Sequence, residues 1–277
     1  KTRIKRHPLA HAPAATPHMS SSRVLQARID LAAVYRLCDK MGFNEGICNH
    51  LTALVPGTRD QFLVIRYGLL WSEVTADNLV LINSDGKVLE GEGPVETTAF
   101  EIHKAIHLAD PDKYQCVLHT HMPYATALCC IEDFELQMCH QNSCRFYKDV
   151  AYDPVFNGLV LDGSEGARLA GVMNGKMAFM HRSHGVIVCG RSIAAAFDDL
   201  YYLERAAQVQ VYAMSTGSKL SLVTDDMAKH VKEQMDAGKA EWAQEHLEAL
   251  KRGLHKDDPA FLPTAEAAAG GKRARTQ

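Results

Sequence analysis

Between residues 24 and 41 apolar side chains recur at 24, 25, 29, 31, 34, 35, 37, 38 and 41, a spacing that lays one stripe along a helix. Gly42 follows in the helix-ending position, where a residue without Cβ turns the chain cheaply. The pattern then shortens. Residues 51–55 and 62–65 are β-rich runs joined by a Pro-Gly turn, and 79–83 and 87–89 flank Ser84-Asp85-Gly86, a hairpin signal. A helix is predicted over 97–109, a short buried strand over 115–121, and a helix over 124–130 launched by Pro123. Later come a helix at 165–173, strands at 177–181 and 186–189, and a long helix from 193 to about 216. A last helix runs from a Thr224 cap, with Asp225 and Asp226 in its first turn, to Lys251, Arg252 and Gly253, charges that suit the helix dipole at both ends.

Helices and strands interleave, with at least one antiparallel hairpin, which predicts a layered α/β domain rather than a Rossmann repeat. Neither a GxGxxG turn after a strand nor a phosphate-cradling GxxxxGK motif is present, so nucleotide binding has no support. Residues 1–22 read as a disordered leader, 23–262 as one domain and 263–277 as a disordered tail.

Composition narrows the function classes. The chain has 277 residues, 47% hydrophobic and 23% charged, enough for a deep core and a shaped pocket. A net charge of −3 hides six Lys or Arg and no acid in residues 1–29, leaving 24 bases against 33 acids beyond them. An acidic body argues against a nucleic-acid partner, and the longest apolar runs are strand-sized, which argues against a membrane. The basic leader allows a mitochondrial address, but its prolines spoil an amphipathic helix, and a cytoplasmic location is expected. The eight cysteines show no CxxC pair and read as reduced core thiols. Trp71, Tyr67 and Tyr147 are expected mainly in the core, and Trp242 against the body or a neighbouring subunit.

Histidine is the informative residue. In Cys116-Val117-Leu118-His119-Thr120-His121 the strand period of two sends both imidazoles to one face, close enough to share one metal ion. A third nitrogen is sought in His181-Arg182-Ser183-His184-Gly185. His184 is favoured over His181, because Gly185 permits close backbone approach. His50 precedes an apolar strand and could line the pocket. His103 and His107 share a helix face, as ligands, supports for ligands or a solvated stripe.

These segments resemble the class II aldolase/adducin family. The resemblance is carried by Met41-Gly42-Phe43-Asn44-Glu45-Gly46, residues 72–91 around Asn83-Ser84-Asp85-Gly86-Lys87, Phe100-Glu101-Ile102-His103-Lys104-Ala105-Ile106-His107, Val117-Leu118-His119-Thr120-His121 and His184-Gly185-Val186. It implies a three-layer α/β/α domain with a largely antiparallel central sheet, a divalent metal on His119, His121 and His184, and a homotetramer with active sites at subunit interfaces. In the family's sugar-phosphate aldolases the metal, usually zinc, polarises a hydroxy-ketone for retro-aldol cleavage.

The chain departs from those aldolases. Ala99 stands where they place a catalytic carboxylate, four residues before His103. Glu96, on the same helical face, is the candidate replacement, and His103 a candidate base or ligand. At the phosphate-binding positions His50 replaces an asparagine and Tyr67 a threonine, while Thr97 and Thr98 keep hydroxyls. These four are the candidate substrate-binding residues, and a clamp so altered suits an unphosphorylated substrate. The departures resemble the adducin-like subfamily of small stand-alone proteins. Three functions are therefore weighed: a metal-dependent lyase, cleaving carbon–carbon bonds or decarboxylating a small hydroxy-keto or keto-acid substrate; a non-haem iron oxygenase or decarboxylase at the same triad; and a non-enzymatic adducin-like scaffold. Zinc is expected first, with iron or manganese compatible with three imidazoles.

Overall fold

The computed structural model describes residues 17–159 and 163–264, with the backbone alone at 17–21, 98 and 99. Residues 1–16 of the expected leader and 265–277 of the expected tail lie outside them. Helix α1 (Pro17–Met41) nevertheless begins within the stretch read as leader. Pro17 is its first residue, where a missing N–H removes no helical hydrogen bond. Gly42 adopts φ +69°, and the N–H of Phe43 donates to the carbonyl of Cys38 at 2.9 Å, closing the helix as its glycine predicts.

An eight-stranded sheet occupies the middle, in the order β4-β3-β2-β1-β5-β8-β7-β6. Its strands are β1 (His50–Leu54), β2 (Gln61–Val64), β3 (Val80–Asn83), β4 (Val88–Glu90), β5 (Cys116–Thr120), β6 (Val150–Asp153), β7 (Ala178–His181) and β8 (Gly185–Gly190). Neighbours pair antiparallel except β6, which runs parallel to β7. Strand β6 and the 3₁₀ helix at Gln141–Phe146 were not foreseen. The alternation of β6 is weak, since it buries Ala151 and Asp153 and leaves Val150 and Tyr152 half-buried, and it ends at Pro154.

Alternation along the central strands divides the core into two layers. Val117, Phe179, Ile187 and Cys189 pack with Ile102 and Ile106 of α2 (Thr97–Ala109) and Leu169 and Met173 of α4 (Gly163–Met173). Cys116, Leu118, Val186 and Val188 face the other way, into the cluster holding α1, α3 (Pro123–Cys129) and α5 (Ile193–Ser215). Helix α6 (Asp225–Asp257) lies outside α5. The architecture is three-layer α/β/α with a largely antiparallel sheet. Tyr35 ties α1 to the centre, its hydroxyl donating to Leu51 O at 2.5 Å and accepting from Leu51 N at 2.8 Å. Trp71 is fully buried and meets the Tyr35 ring edge-on at 5.1 Å. Trp242 is half exposed. Among the described residues no helix is long and apolar enough to cross a membrane.

Candidate metal centre

Strand β5 ends where the functional face begins. Its period of two places His119 on the α2 side of the sheet with Val117, and His121 emerges one pleat later. The strands β7 and β8 return toward it through a tight turn in which Ser183 takes the left-handed conformation, φ +55°, turning His184 back toward β5. At Gly185 a Cβ would lie 2.6 Å from Thr120 O and 2.7 Å from His121 Cδ2, so only glycine lets this turn press against the end of β5.

The result is a near-equilateral triangle of imidazoles. Ring centroids are 5.0 Å apart for His119 and His121, 4.9 Å for His119 and His184, and 5.0 Å for His121 and His184. One nitrogen from each lies within 4.8 Å of the others. It is the one such cluster among the described residues.

The hydrogen bonds decide which nitrogen each ring presents. His119 Nδ1–H donates to the carbonyl of Val186 at 3.0 Å, and His121 Nδ1–H to Glu45 Oε2 at 2.5 Å. His181 donates from Nε2 to the carbonyl of Val155 at 2.8 Å. Its Nδ1 is therefore an acceptor, and takes the Nδ1–H of His184 at 3.1 Å. Each triad ring thus keeps its proton on Nδ1 and turns an Nε2 lone pair inward, the orientation that metal-binding histidines owe to such outer partners. Burial pushes the His184 pKa down to about 4 and lowers that of His119 well below the usual imidazole value, with neighbouring histidines adding to the effect. Neutral rings are the ligating form. His121 Nε2 is buried without a hydrogen-bond partner among the described residues, an uncompensated polar atom that a cation would satisfy. Three imidazole nitrogens with space beyond them fit a divalent ion with open positions.

The triad forms the floor of a cleft of about 710 Å³ whose walls include Glu45, His50, Tyr67, Glu96, Thr126 and Phe156. Of the substrate-binding candidates, His50 and Tyr67 reach this cleft. Thr97 is exposed at the start of α2, not on the cleft wall, and the side chain of Thr98 lies outside the described residues. Glu96 lines the cleft. His103 does not: it is 2% exposed, and both nitrogens are engaged, Nε2 with His50 at 2.8 Å and Nδ1 with Thr52 at 2.6 Å. A ring so enclosed has no face for substrate, which removes the simple reading of His103 as base or ligand. His107 is also fully buried, not solvated. Glu45 and Thr52 escaped the sequence reading. Thr52 was within its reach, two residues after His50 on the same strand face, whereas nothing local distinguishes Glu45.

Residues 29–211 match the family model described as Class II Aldolase and Adducin N-terminal domain. With the antiparallel sheet and the histidine triangle in place, the chain belongs to the class II aldolase/adducin family. It is 35% identical over 209 residues to a Pseudomonas aeruginosa protein named for the class 2 aldolases, spanning 75% of this chain and 79% of that one. It is 32% identical to mouse alpha-adducin over 208 residues, 73% of this chain but 28% of the adducin. A solved aldolase II superfamily protein from Pseudomonas syringae superposes with a TM-score of 0.81 at 33% identity, covering 89% of this chain and 97% of that one.

Proposed function

We propose that the protein is a metal-dependent lyase that cleaves a carbon–carbon bond, aldolase-like or by decarboxylation, in a small unphosphorylated hydroxy-keto or keto-acid substrate. The observation that carries this reading is the convergence of three Nε2 lone pairs, each set by an outer hydrogen bond, on the floor of an open cleft. A divalent ion held there by His119, His121 and His184 would supply Lewis-acid polarisation of a substrate carbonyl. Zinc suits the donor set first, and iron and manganese are chemically compatible with it.

The chain's own residues supply the rest. Glu96 is a carboxylate on the cleft wall beside Glu45, which is engaged with His121, and it is placed for proton transfer in a site where Ala99 provides none. Tyr67 offers a hydroxyl at the rim, and the half-exposed Phe156 sets its ring 6.2 Å from that of His184, an apolar wall beside the triad. The half-exposed Val209, Tyr212, Met214 and Leu222 along and beyond the end of α5 support assembly into a homotetramer with sites near the interfaces, which sedimentation equilibrium tests directly.

The deciding measurement is the metal content of protein purified without added metal, paired with His121→Ala. The lyase reading expects roughly one equivalent in the parent and a large loss in the variant; equal content in both would remove it. The similarity to alpha-adducin favours a second reading, an oligomeric scaffold without turnover. A metal-loaded tetramer inert toward a panel of hydroxy-ketones and keto acids would favour it, while oxygen uptake by the iron-loaded protein would turn the assignment toward oxidative decarboxylation.

A further inference from the structure

Behind the metal centre runs a continuous buried chain of hydrogen bonds. Strand β1 contributes His50 and Thr52, two residues apart on one face. Helix α2 contributes His103 and His107, one turn apart, and the two pairs interlock. His50 Nδ1 meets His103 Nε2 at 2.8 Å, His103 Nδ1 meets Thr52 Oγ1 at 2.6 Å, Thr52 Oγ1 meets His107 Nε2 at 2.7 Å, and His107 Nδ1 meets the carbonyl of Tyr114 at 2.5 Å. His50, Thr52, His103 and His107 are each at most 5% exposed.

The far end of the chain sets the direction of every proton in it. A carbonyl can only accept, so His107 carries its proton on Nδ1 and its Nε2 is an acceptor. The carbonyl of Val117 lies 3.5 Å from Thr52 Oγ1, a weaker acceptor than His107 Nε2 at 2.7 Å, so Thr52 donates its single hydroxyl proton to His107 and accepts from His103. His103 is therefore protonated on Nδ1, leaving Nε2 to accept from His50. His50 in turn carries its proton on Nδ1, which faces inward, and its bare Nε2 lies on the opposite edge of the ring. Burial lowers the pKa of His107 to about 4 and holds that of His103 well below the usual value.

The outer end opens on the cleft. His50 lines it, pairs across the sheet with His119, and stacks at 5.1 Å from the His119 ring. It stands outside the cluster of three whose nitrogens lie within 4.8 Å of one another, and the nitrogen it commits to the relay is Nδ1. We propose that His50 is a specificity-determining residue, its Nε2 held as an obligatory hydrogen-bond acceptor by the His103–Thr52–His107 relay, so that the site selects a substrate with an uncharged hydroxyl at this position over one with a phosphate. The proposal rests on the lyase reading for what fills the cleft. Its physical basis is polarity: a lone pair rewards an O–H donor and is left unpaired, beside a repelled oxygen, when an anion is placed against it. His103, Thr52 and His107 touch no substrate and act as positioning residues through His50.

Nitrogen-15 correlation spectra of the full-length protein at neutral pH read the tautomer of His50 directly. The expected result is a protonated Nδ1 and an unprotonated Nε2, with Thr52→Val, which breaks the relay without reaching the cleft, giving mixed tautomers. A His50 protonated on Nε2, or on both nitrogens, in the unsubstituted protein overturns the proposal whatever the variant does. Zinc-loaded protein titrated with dihydroxyacetone and with dihydroxyacetone phosphate supplies the second readout. Dihydroxyacetone should bind about tenfold or more tightly than its phosphate ester, and His50→Asn, whose amide can donate, should narrow or invert that ratio. An unchanged ratio counts against the inference. Metal content of the same samples separates the two ideas: protein that takes up no metal removes the lyase reading, while the tautomer, readable without metal, still decides the role of His50.

Discussion

At the scale of single residues the site depends on groups that never touch a substrate. Glu45 fixes the proton of His121 on Nδ1 from a loop 76 residues away in sequence. Glu45→Gln keeps the shape and removes the charge. It should weaken metal affinity by about 10- to 100-fold with little change in folding, as measured by competition with a chromogenic chelator. Unaltered affinity would mean that the ring is oriented by packing alone. The same logic explains why His181, considered and set aside as a ligand, belongs to the centre: its bond to the Val155 carbonyl makes it the acceptor for His184. Its proximity in sequence marked it as relevant, but only the hydrogen-bond partners distinguish the supporting ring from the candidate ligand.

At the scale of elements, two glycines show how close approach serves different ends. On α4, a Cβ at Gly166 would fall 2.6 Å from the backbone oxygen of Glu101 on α2, so Gly166→Ala must push the two helices apart. It should cost about 1–3 kcal/mol in urea denaturation and leave metal stoichiometry intact. At Gly185 the same change meets Thr120 and His121. Gly185→Ala should therefore lower metal content as well as stability, and a variant that keeps full metal occupancy would show that the turn is less tightly coupled to β5 than its spacing implies. Most elements were legible because their patterns are strong: the apolar stripe of α1, the Gly42 stop, the hairpin at Asn83-Ser84-Asp85-Gly86. Strand β6 was not, because an edge strand buried at alternate positions by Ala151 and Asp153 carries little apolar signal, and its place beside β7 is set by a long-range parallel pairing.

Across the whole molecule, buried neutral histidines make stability depend on pH. His107 titrates near 4 in the folded chain because burial disfavours its charged form, against a usual value of 6.5. Between those values the unfolded chain binds the additional proton, so the contribution is fully present above about pH 6.5 and is lost as pH falls toward 4. On the order of 3 kcal/mol is at stake for this group. Chemical denaturation from pH 7.5 to about 4 should show falling stability, and His107→Gln, though less stable at neutral pH, should show a shallower decline. Parallel curves for the two proteins would contradict the assignment of a neutral, buried ring.

Sequence alone was enough for most of the helices and strands, though not for β6, and for the spacing that puts His119 and His121 on one face, and it marked His184 as the candidate third nitrogen, since these follow from local periodicity or from a glycine beside a histidine. The tertiary structure decided what local pattern cannot encode. Which nitrogen a ring presents, whether His103 meets solvent or is sealed in a relay, and which distant carboxylate steadies His121 all depend on partners brought together by the register of β1 against β5 and the packing of α2 on the sheet. A hydrogen bond needs a specific atom within about 3 Å, and that proximity exists only once the chain has closed upon itself.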